Sequence, residues 1–151
     1  MIKILFVCLG NICRSPMGEY ILKDMVKKRG IADDFYIASA GTEDFNDGDP
    51  VYPPARRKLR ENGIECAGHH ARGIRRDDYA AFDYILAMDG QNIRNMTSFW
   101  GGDPEGKIRL LLDYTDEPRS VADPWYTGDF DAAYNDICRG CEGFLEKVAG
   151  V

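Results

Sequence analysis

The chain has 151 residues, a formal net charge of −6 and 44% hydrophobic residues, which is enough apolar material for one independent core. The acidic balance argues against nucleic acids and anionic membranes as partners, because both repel a negatively charged chain. A bound anion must therefore be held by positive charge local to its site. We expect a single domain over residues 1–151.

The sequence shows neither a membrane span nor a secretory signal. No apolar run approaches the ~20 residues that cross a bilayer, and segment 1–7 is too short for the core of a signal peptide. The cysteines are few, odd in number and scattered: Cys8, Cys13, Cys66, Cys138 and Cys141. This spacing suggests neither a disulfide framework nor a zinc site. We therefore expect a cytoplasmic protein without a bound metal.

Strand and helix patterns alternate along the chain. Short apolar runs predict buried strands at 2–7, 35–38, 83–88 and 107–112. Proline starts, glycine ends and helical spacing of apolar residues predict helices at 16–29, 54–63, 91–97 and from Phe130 onward. This alternation predicts an α/β fold, in which helices cover both faces of a parallel sheet. Functional loops in such folds follow the carboxyl ends of strands.

Segment 8–15, directly after the first predicted strand, carries the candidate chemistry. It reads CLGNICRS, a Cys-x5-Arg-Ser motif between a buried strand and a helix start. A loop that wraps onto a helix N-terminus turns several N–H groups toward one concave space, which suits a tetrahedral phosphate. Gly10 and Asn11 tolerate the positive φ angles of such a curl. Arg14 can offer two parallel donors to phosphate oxygens.

Cys8 is the candidate nucleophile of this segment. The positive surroundings should stabilise its thiolate, which can then attack phosphorus. Ser15 can donate a hydrogen bond to the sulfur and help it leave in a second step. The alternative is a buried cysteine that merely ends a strand, with Arg14 on the surface. Placement between a buried strand and Pro16 favours the catalytic interpretation.

A candidate acid lies late in the chain, in the segment ADPWY at 122–126. A thiolate that attacks a phosphomonoester needs an acid to protonate the leaving oxygen. Pro124 favours extended geometry at Asp123, and Trp125 and Tyr126 can wall a pocket beside it. Taken alone, the segment is explained equally well as an ordinary Asp-Pro turn with aromatic rings packed on the core.

Three segments, VCLGNICRSPMGE at 7–19, FDYILAMD at 82–89 and DPWY at 123–126, together resemble the low-molecular-weight protein tyrosine phosphatases. The resemblance covers essentially the whole chain. It implies a central four-stranded parallel sheet and a two-step hydrolysis without metal or cofactor. It also implies that Cys8 forms a phosphocysteine, that Arg14 binds phosphate, and that Asp123 acts as general acid and then as base. The implied partners are phosphotyrosine-containing proteins as substrates and inorganic phosphate or other oxyanions as inhibitors.

The resemblance also implies a supporting network and a second loop thiol. Asn11 matches a loop asparagine held in a strained conformation by polar partners, here Ser15, Ser39 and His69; such a network would fix the site. Cys13 matches a second loop cysteine that can form a disulfide with Cys8 and protect it from further oxidation.

The substrate slot should have apolar walls, because an aryl phosphate carries a flat apolar ring. We expect the substrate-binding residues to be Leu9, Gly10, Asn11, Ile12, Cys13, Ser15, Phe45, Trp125 and Tyr126. A related class that dephosphorylates phosphoarginine carries threonine in place of Ile12 and lacks the aromatic pair after Asp-Pro. The present sequence therefore favours phosphotyrosine.

Three other functions share parts of this pattern. A protein arginine phosphatase would use the same loop. A thiol-dependent arsenate reductase of the same fold needs two further cysteines near residues 80–90, where this chain has none. A phosphocysteine carrier, which passes phosphate to a sugar-transport partner, would not need an acid at Asp123.

Overall fold

The computed structural model describes residues 1–150 and contains one four-stranded sheet. Its strands are β1 Ile2–Cys8, β2 Phe35–Gly41, β3 Tyr84–Ala87 and β4 Ile108–Leu110. All neighbours pair in parallel, in the order β2-β1-β3-β4. The four residues Ile4 to Val7 are fully buried, as expected of a central strand covered on both faces. The predicted α/β fold with a four-stranded parallel sheet is confirmed.

Helices connect the strands and cover the sheet. They are α1 Arg14–Lys28, α2 Pro53–Glu61, α3 Asp78–Ala81, α4 Gly90–Trp100, α5 Pro124–Thr127 and α6 Phe130–Phe144. Short 3-10 turns lie at Ala32–Asp34 and Leu111–Tyr114, and a π turn at Leu145–Ala149 extends α6. Across residues 1–150, no helix combines the length and the apolar character that spanning a membrane requires.

The core lies on both sides of β1, because alternate residues of a strand face opposite ways. Ile4, Phe6 and Cys8 join one buried cluster, which includes residues of α1 and α6, whereas Leu5 and Val7 join a second cluster with residues of β3 and α4. Gly18 allows α1 to lie close to the sheet, since a Cβ there would come within 2.5 Å of the Phe6 ring.

Some element boundaries differ from the sequence prediction. Strand β4 ends at Leu110 instead of residue 112, because Leu111 and Leu112 turn into a 3-10 turn and are buried in the core. Helix α1 begins two residues before Pro16, where the Met17 N–H donates to the Cys13 carbonyl and closes the first turn. The carboxyl ends of β1 and β3 are adjacent, which brings the segments after Cys8 and Ala87 together.

Candidate active site

The loop between β1 and α1, residues 9–13, is fixed through carbonyl groups. The Cys8 carbonyl accepts the Thr42 N–H at 2.9 Å, and the Leu9 carbonyl accepts the Glu43 N–H at 3.0 Å. The Asn11 carbonyl accepts from His69 Nε2, and the Ile12 carbonyl accepts the Tyr52 N–H, both at 2.8 Å. By contrast, no N–H group of residues 9–13 donates to an acceptor within residues 1–150. Because N–H groups in a folded protein need partners, a loop whose N–H groups lack acceptors is suited to bind an anionic ligand.

The Cys8 sulfur lies at the end of a chain of buried side chains. Its Sγ is 3.0 Å from the hydroxyl oxygen of Ser15, and Asn11 Nδ2 donates to that same oxygen at 2.8 Å. Since the serine oxygen accepts from Asn11, its own proton is available to the sulfur. The arrangement therefore lets Ser15 donate a hydrogen bond to the sulfur of Cys8.

Asn11 has a left-handed backbone, with φ of 59°, and is held there by its side-chain amide and its carbonyl. Its Nδ2 donates to Ser15 and to Ser39, its Oδ1 accepts the Arg72 N–H at 3.0 Å, and its carbonyl contacts His69 Nε2 at 2.8 Å. The structure thus brings together Asn11 and its three expected partners, and adds Arg72.

A buried carboxylate that the sequence analysis missed extends this network. Ser39 donates to Glu19 Oε1 at 2.6 Å, and Glu19 Oε2 pairs with Lys23 at the surface. Glu19 follows Ser15 by four residues on α1, so the two side chains share one helix face. That spacing was the available signal in the sequence.

Arg14, the candidate phosphate-binding residue, contacts Asp123, the candidate acid. The side chain is only 2% exposed; its Nη1 donates to the Val121 carbonyl at 2.7 Å and pairs with Asp89 Oδ2 at 2.9 Å. Its Nη2 lies 3.4 Å from Asp123 Oδ2. The two residues predicted to bind phosphate and to donate the proton are therefore in direct contact, although 109 positions separate them in the chain.

Asp89 is a second residue that the sequence analysis did not single out. Its Oδ1 accepts the Asn92 N–H and caps α4, so one carboxylate serves both the helix and Arg14. Asp123 is held in the same way, because its Oδ1 accepts the Trp125 N–H at the start of α5. Asp89 directly follows the strand segment FDYILAM, at the edge where such folds carry their sites, and that position was the signal.

One cavity joins most of the predicted site residues. It is lined by Cys8, Leu9, Gly10, Ile12, Cys13, Arg14, Phe45, Asn46, Asp123, Trp125 and Tyr126. Asn46 had not been predicted. The aromatic walls of the cavity are exposed to solvent: the exposed fraction is 65% for Phe45, 55% for Trp125 and 78% for Tyr126. Asn11, Ser15, Ser39 and His69 are not part of the lining; they are buried, and form the network described above.

Cys13 lines the cavity beside Cys8 but differs from it chemically. Burial, reinforced by negative charge at Cys8 and Asp123, raises the pKa of the Cys13 thiol to about 12. Cys13 is therefore protonated at neutral pH and a poor nucleophile. The cysteines of the chain are all free thiols, and Cys141 is buried in the core.

Comparison with known proteins gives one family. The family model described as low molecular weight phosphotyrosine protein phosphatase matches residues 3–150. The chain is 41% identical to the low molecular weight protein-tyrosine-phosphatase YfkJ of Bacillus subtilis, covering 98% of this chain and 96% of that protein. It is also 41% identical to the low molecular weight phosphotyrosine protein phosphatase of Sus scrofa, over 97% and 95%.

Solved structures agree with these relatives. The crystal structure of YfkJ superposes with a TM-score of 0.94, covering 99% of this chain and 96% of that chain. The crystal structure of DARP, a drosophila arginine phosphatase, superposes with a TM-score of 0.86 at 38% identity, covering 97% of each chain. The chain belongs to the low molecular weight phosphotyrosine protein phosphatase family and, like YfkJ and the Sus scrofa protein, is a hydrolase with protein tyrosine phosphatase activity.

Proposed function

We propose that this phosphatase hydrolyses phosphotyrosine in two steps, through a phosphocysteine formed on Cys8. The observation that carries the assignment of roles is that Cys8, Arg14 and Asp123 line one cavity. Residues 9–13, called the phosphate loop below, have N–H groups without an acceptor in residues 1–150, and most of these residues line the same cavity as the sulfur. A nucleophile, an oxyanion receptor and a proton donor are the three parts that phosphoryl transfer to a thiolate needs.

In the first step the Cys8 thiolate attacks phosphorus and the bond from phosphorus to the phenolic oxygen breaks. Asp123 gives its proton to that oxygen, so that tyrosine leaves as a neutral phenol. The non-bridging oxygens bind the N–H groups of the phosphate loop and the guanidinium of Arg14, which stabilise the charge of the transition state. This role of Arg14 requires two parallel donors, which a lysine does not offer.

In the second step a water molecule attacks the phosphocysteine. The Asp123 carboxylate takes a proton from this water, the bond between sulfur and phosphorus breaks, and inorganic phosphate is released. Ser15 donates a hydrogen bond to the sulfur as it regains its negative charge. Because phosphate and related oxyanions fit the same receptor, we expect them to inhibit competitively.

The walls of the cavity support an aryl phosphate as substrate. Phe45, Trp125 and Tyr126 present exposed aromatic surface around the opening, and a phenyl ring gains free energy by packing between such rings. A phosphoserine side chain is shorter and lacks a ring, so it would leave these surfaces in water. Phosphotyrosine-containing proteins are therefore the proposed substrates.

A cytoplasmic location, which the sequence analysis predicts, suits this chemistry. The compartment keeps cysteines reduced, and the proposed nucleophile works only as a thiolate.

Phosphoarginine is the second candidate substrate, because a drosophila arginine phosphatase is 38% identical to this chain. The test is a comparison of kcat/KM for phosphotyrosine, phosphoarginine and phosphoserine in peptides of otherwise identical sequence. We expect the highest value for phosphotyrosine. We also expect Ile12→Thr to raise kcat/KM for phosphoarginine relative to that for phosphotyrosine. Ile12→Val is the control, because valine has the size of threonine but lacks its hydroxyl group. A wild-type enzyme that prefers phosphoarginine would overturn the substrate assignment.

The roles of Cys8 and Asp123 are tested by two conservative variants. Asp123→Asn keeps a side chain that can cap α5 but removes the proton, and should lower kcat/KM on phosphotyrosine by ~10² to 10⁴, as loss of a general acid does. A phosphocysteine carrier would form its phosphoenzyme at an undiminished rate. Cys8→Ser should abolish hydrolysis while vanadate still binds, measured by calorimetry. Turnover retained in Cys8→Ser would exclude a covalent role for this sulfur.

A further inference from the structure

Tyr52 contacts the phosphate loop, Trp125 and the first residue of helix α6. Its N–H donates to the Ile12 carbonyl of the phosphate loop at 2.8 Å. Its ring centroid is 4.8 Å from that of Trp125, with the planes tilted by 52°, and 6.2 Å from that of Phe130 in a stacked arrangement. One residue therefore contacts the phosphate loop through its backbone and, through its side chain, contacts Trp125 just after Asp123 and Phe130 at the start of α6.

The segment from 121 to 129, called the acid loop below, is anchored mainly at its start. Val121 is buried, its N–H donates to the Met88 carbonyl, and its carbonyl accepts from Arg14. The part after Pro124 has fewer contacts. Helix α5 is only four residues long, and more than half of the Trp125 and Tyr126 side-chain surfaces is exposed. Gly128 then takes a left-handed conformation, with φ of 74°. Among residues 1–150, Tyr52 is the aromatic partner of Trp125. The position of Trp125, and with it of the second half of the acid loop, thus relies on this ring.

The backbone of Tyr52 is well placed to be the fixed side of this contact. Val51 before it is buried in the core, and Pro53 after it begins α2. The Tyr52 carbonyl accepts the Arg56 N–H in the first turn of that helix. A ring that projects from such a support can hold the exposed ring of Trp125 in place.

We propose that Tyr52 is a positioning residue that couples the acid loop to the phosphate loop and so holds Asp123 in reach of the leaving oxygen. The inference rests on the proposed function, because it concerns the step in which Asp123 donates its proton. Tyr52 acts through Trp125, two residues after the acid, and touches no reacting atom. Its hydroxyl group forms no hydrogen bond in the described part of the chain, so the ring alone carries the effect.

The test compares two substrates that differ in their need for an acid. Phenyl phosphate releases a strongly basic phenolate that must be protonated, whereas 2,4-dinitrophenyl phosphate releases a weak base that departs as an anion. We expect Tyr52→Ala to lower kcat/KM for phenyl phosphate by about two- to tenfold, the value of one aromatic pair. The value for dinitrophenyl phosphate should stay close to that of the wild type. Tyr52→Phe should restore the wild-type values for both substrates.

A double-mutant cycle with Trp125→Ala tests the route of the effect. If Tyr52 acts through the Trp125 ring, the double variant should be no slower on phenyl phosphate than Trp125→Ala alone. Tyr36→Ala is the control for loss of an exposed tyrosine, whose ring stacks on Phe82. Tyr36 lies five residues along β2 from Gly41, which pairs with Cys8 in the sheet. Tyr36 is therefore about 16 Å from the end of the strand that carries the site.

Equal losses on both substrates, no loss at all, or a loss that persists without the Trp125 ring would each overturn the inference. Tyr52→Leu replaces Tyr52→Ala if thermal unfolding shows that the alanine variant does not fold. A wild-type enzyme that fails to hydrolyse phenyl phosphate would instead refute the proposed function, so the two failures are distinguishable.

Discussion

The hydroxyl oxygen of Ser15 lies 3.0 Å from the sulfur of Cys8, and both residues are buried. The direction of the hydrogen bond follows from a third residue, because Asn11 donates an amide proton to the same oxygen. The serine proton is then free for the sulfur, which it stabilises most when the sulfur is an anion. In the proposed mechanism the sulfur of Cys8 carries a negative charge before the first chemical step and again after the second.

Ser15→Ala should therefore lower kcat. A hydrogen bond to a charged group contributes about 1.5 to 3 kcal/mol, so we expect a loss of about 10- to 100-fold. If release of the thiolate becomes rate-limiting, phosphocysteine will accumulate, and quenched-flow mass spectrometry will detect it. Ser98→Ala, on the exposed face of α4, should behave like the wild type. An unchanged kcat in Ser15→Ala would contradict the assigned role.

The parts of the site that could be predicted from the sequence are those whose signal is local. Strand β1, the phosphate loop and the start of α1 form one continuous segment, where an apolar run, a Cys-x5-Arg-Ser motif and a proline follow each other. Asp123 and its two aromatic neighbours also form one short segment, but this local pattern fits an ordinary turn equally well, and resemblance to a known family was needed to single it out. Resemblance to a known family then supplied Ser39 and His69, which local pattern alone does not connect to Asn11.

The contacts that could not be predicted join distant segments. Asp89 reaches Arg14 from 75 positions away, and Tyr52 reaches Trp125 from 73 positions away. Neither pair leaves a periodic or spaced pattern in the sequence. Helix α5 was missed for a different reason, since four residues are too few to show helical periodicity.

The left-handed backbone of Asn11 gives a second prediction, because the side chain and the backbone can be tested separately. Asn11→Gly keeps access to a φ of 59° but loses the amide, whereas Asn11→Ala loses both. Both variants should lose activity, since Ser15, Ser39 and the Arg72 N–H lose a buried partner. Urea unfolding should show Asn11→Ala to be less stable than Asn11→Gly by about 1 kcal/mol. Equal stabilities would mean that the backbone of Asn11 is not strained.

The two cysteines of the cavity give a third prediction, on oxidation. Peroxide should convert the Cys8 thiolate to a sulfenic acid, with loss of one oxygen of the peroxide as water. The Cys13 thiol can then attack that sulfur, forming a disulfide and releasing a second water molecule. Because burial raises the pKa of Cys13 to about 12, we expect this second reaction to be slow at neutral pH and to accelerate as pH rises.

Cys13→Ser should therefore retain turnover. After peroxide treatment, however, thiols should not restore its activity, since the Cys8 sulfenic acid is then oxidised further to irreversible products. Mass spectrometry should find a bond between Cys8 and Cys13 in the wild type. Cys138→Ser, on α6, is the control and should recover as the wild type does. Finding only a bond between Cys138 and Cys141 would contradict this scheme.

The last prediction concerns acid stability and the segment that leads to the acid loop. Asp136, on α6, is buried and accepts two hydrogen bonds from Arg119, at 2.8 and 3.1 Å, and another from Arg139. Burial alone would raise the pKa of Asp136, but these charged donors outweigh it and hold the pKa below its ordinary value of 3.8. The carboxylate therefore binds protons more weakly in the folded state than in the unfolded state.

A lowered pKa stabilises the fold above the unfolded value and loses that contribution as pH falls through the folded value. Asp136→Asn should lower the free energy of unfolding by about 1 kcal/mol at pH 7, because Arg119 is half exposed and screened by water. The difference between wild type and variant should narrow below pH 3.8, measured by urea unfolding across the acid range. Glu117→Gln removes an exposed carboxylate from the same two arginines and should change stability little. A gap between wild type and Asp136→Asn that stays constant into acid would show that the ion pair does not stabilise the fold.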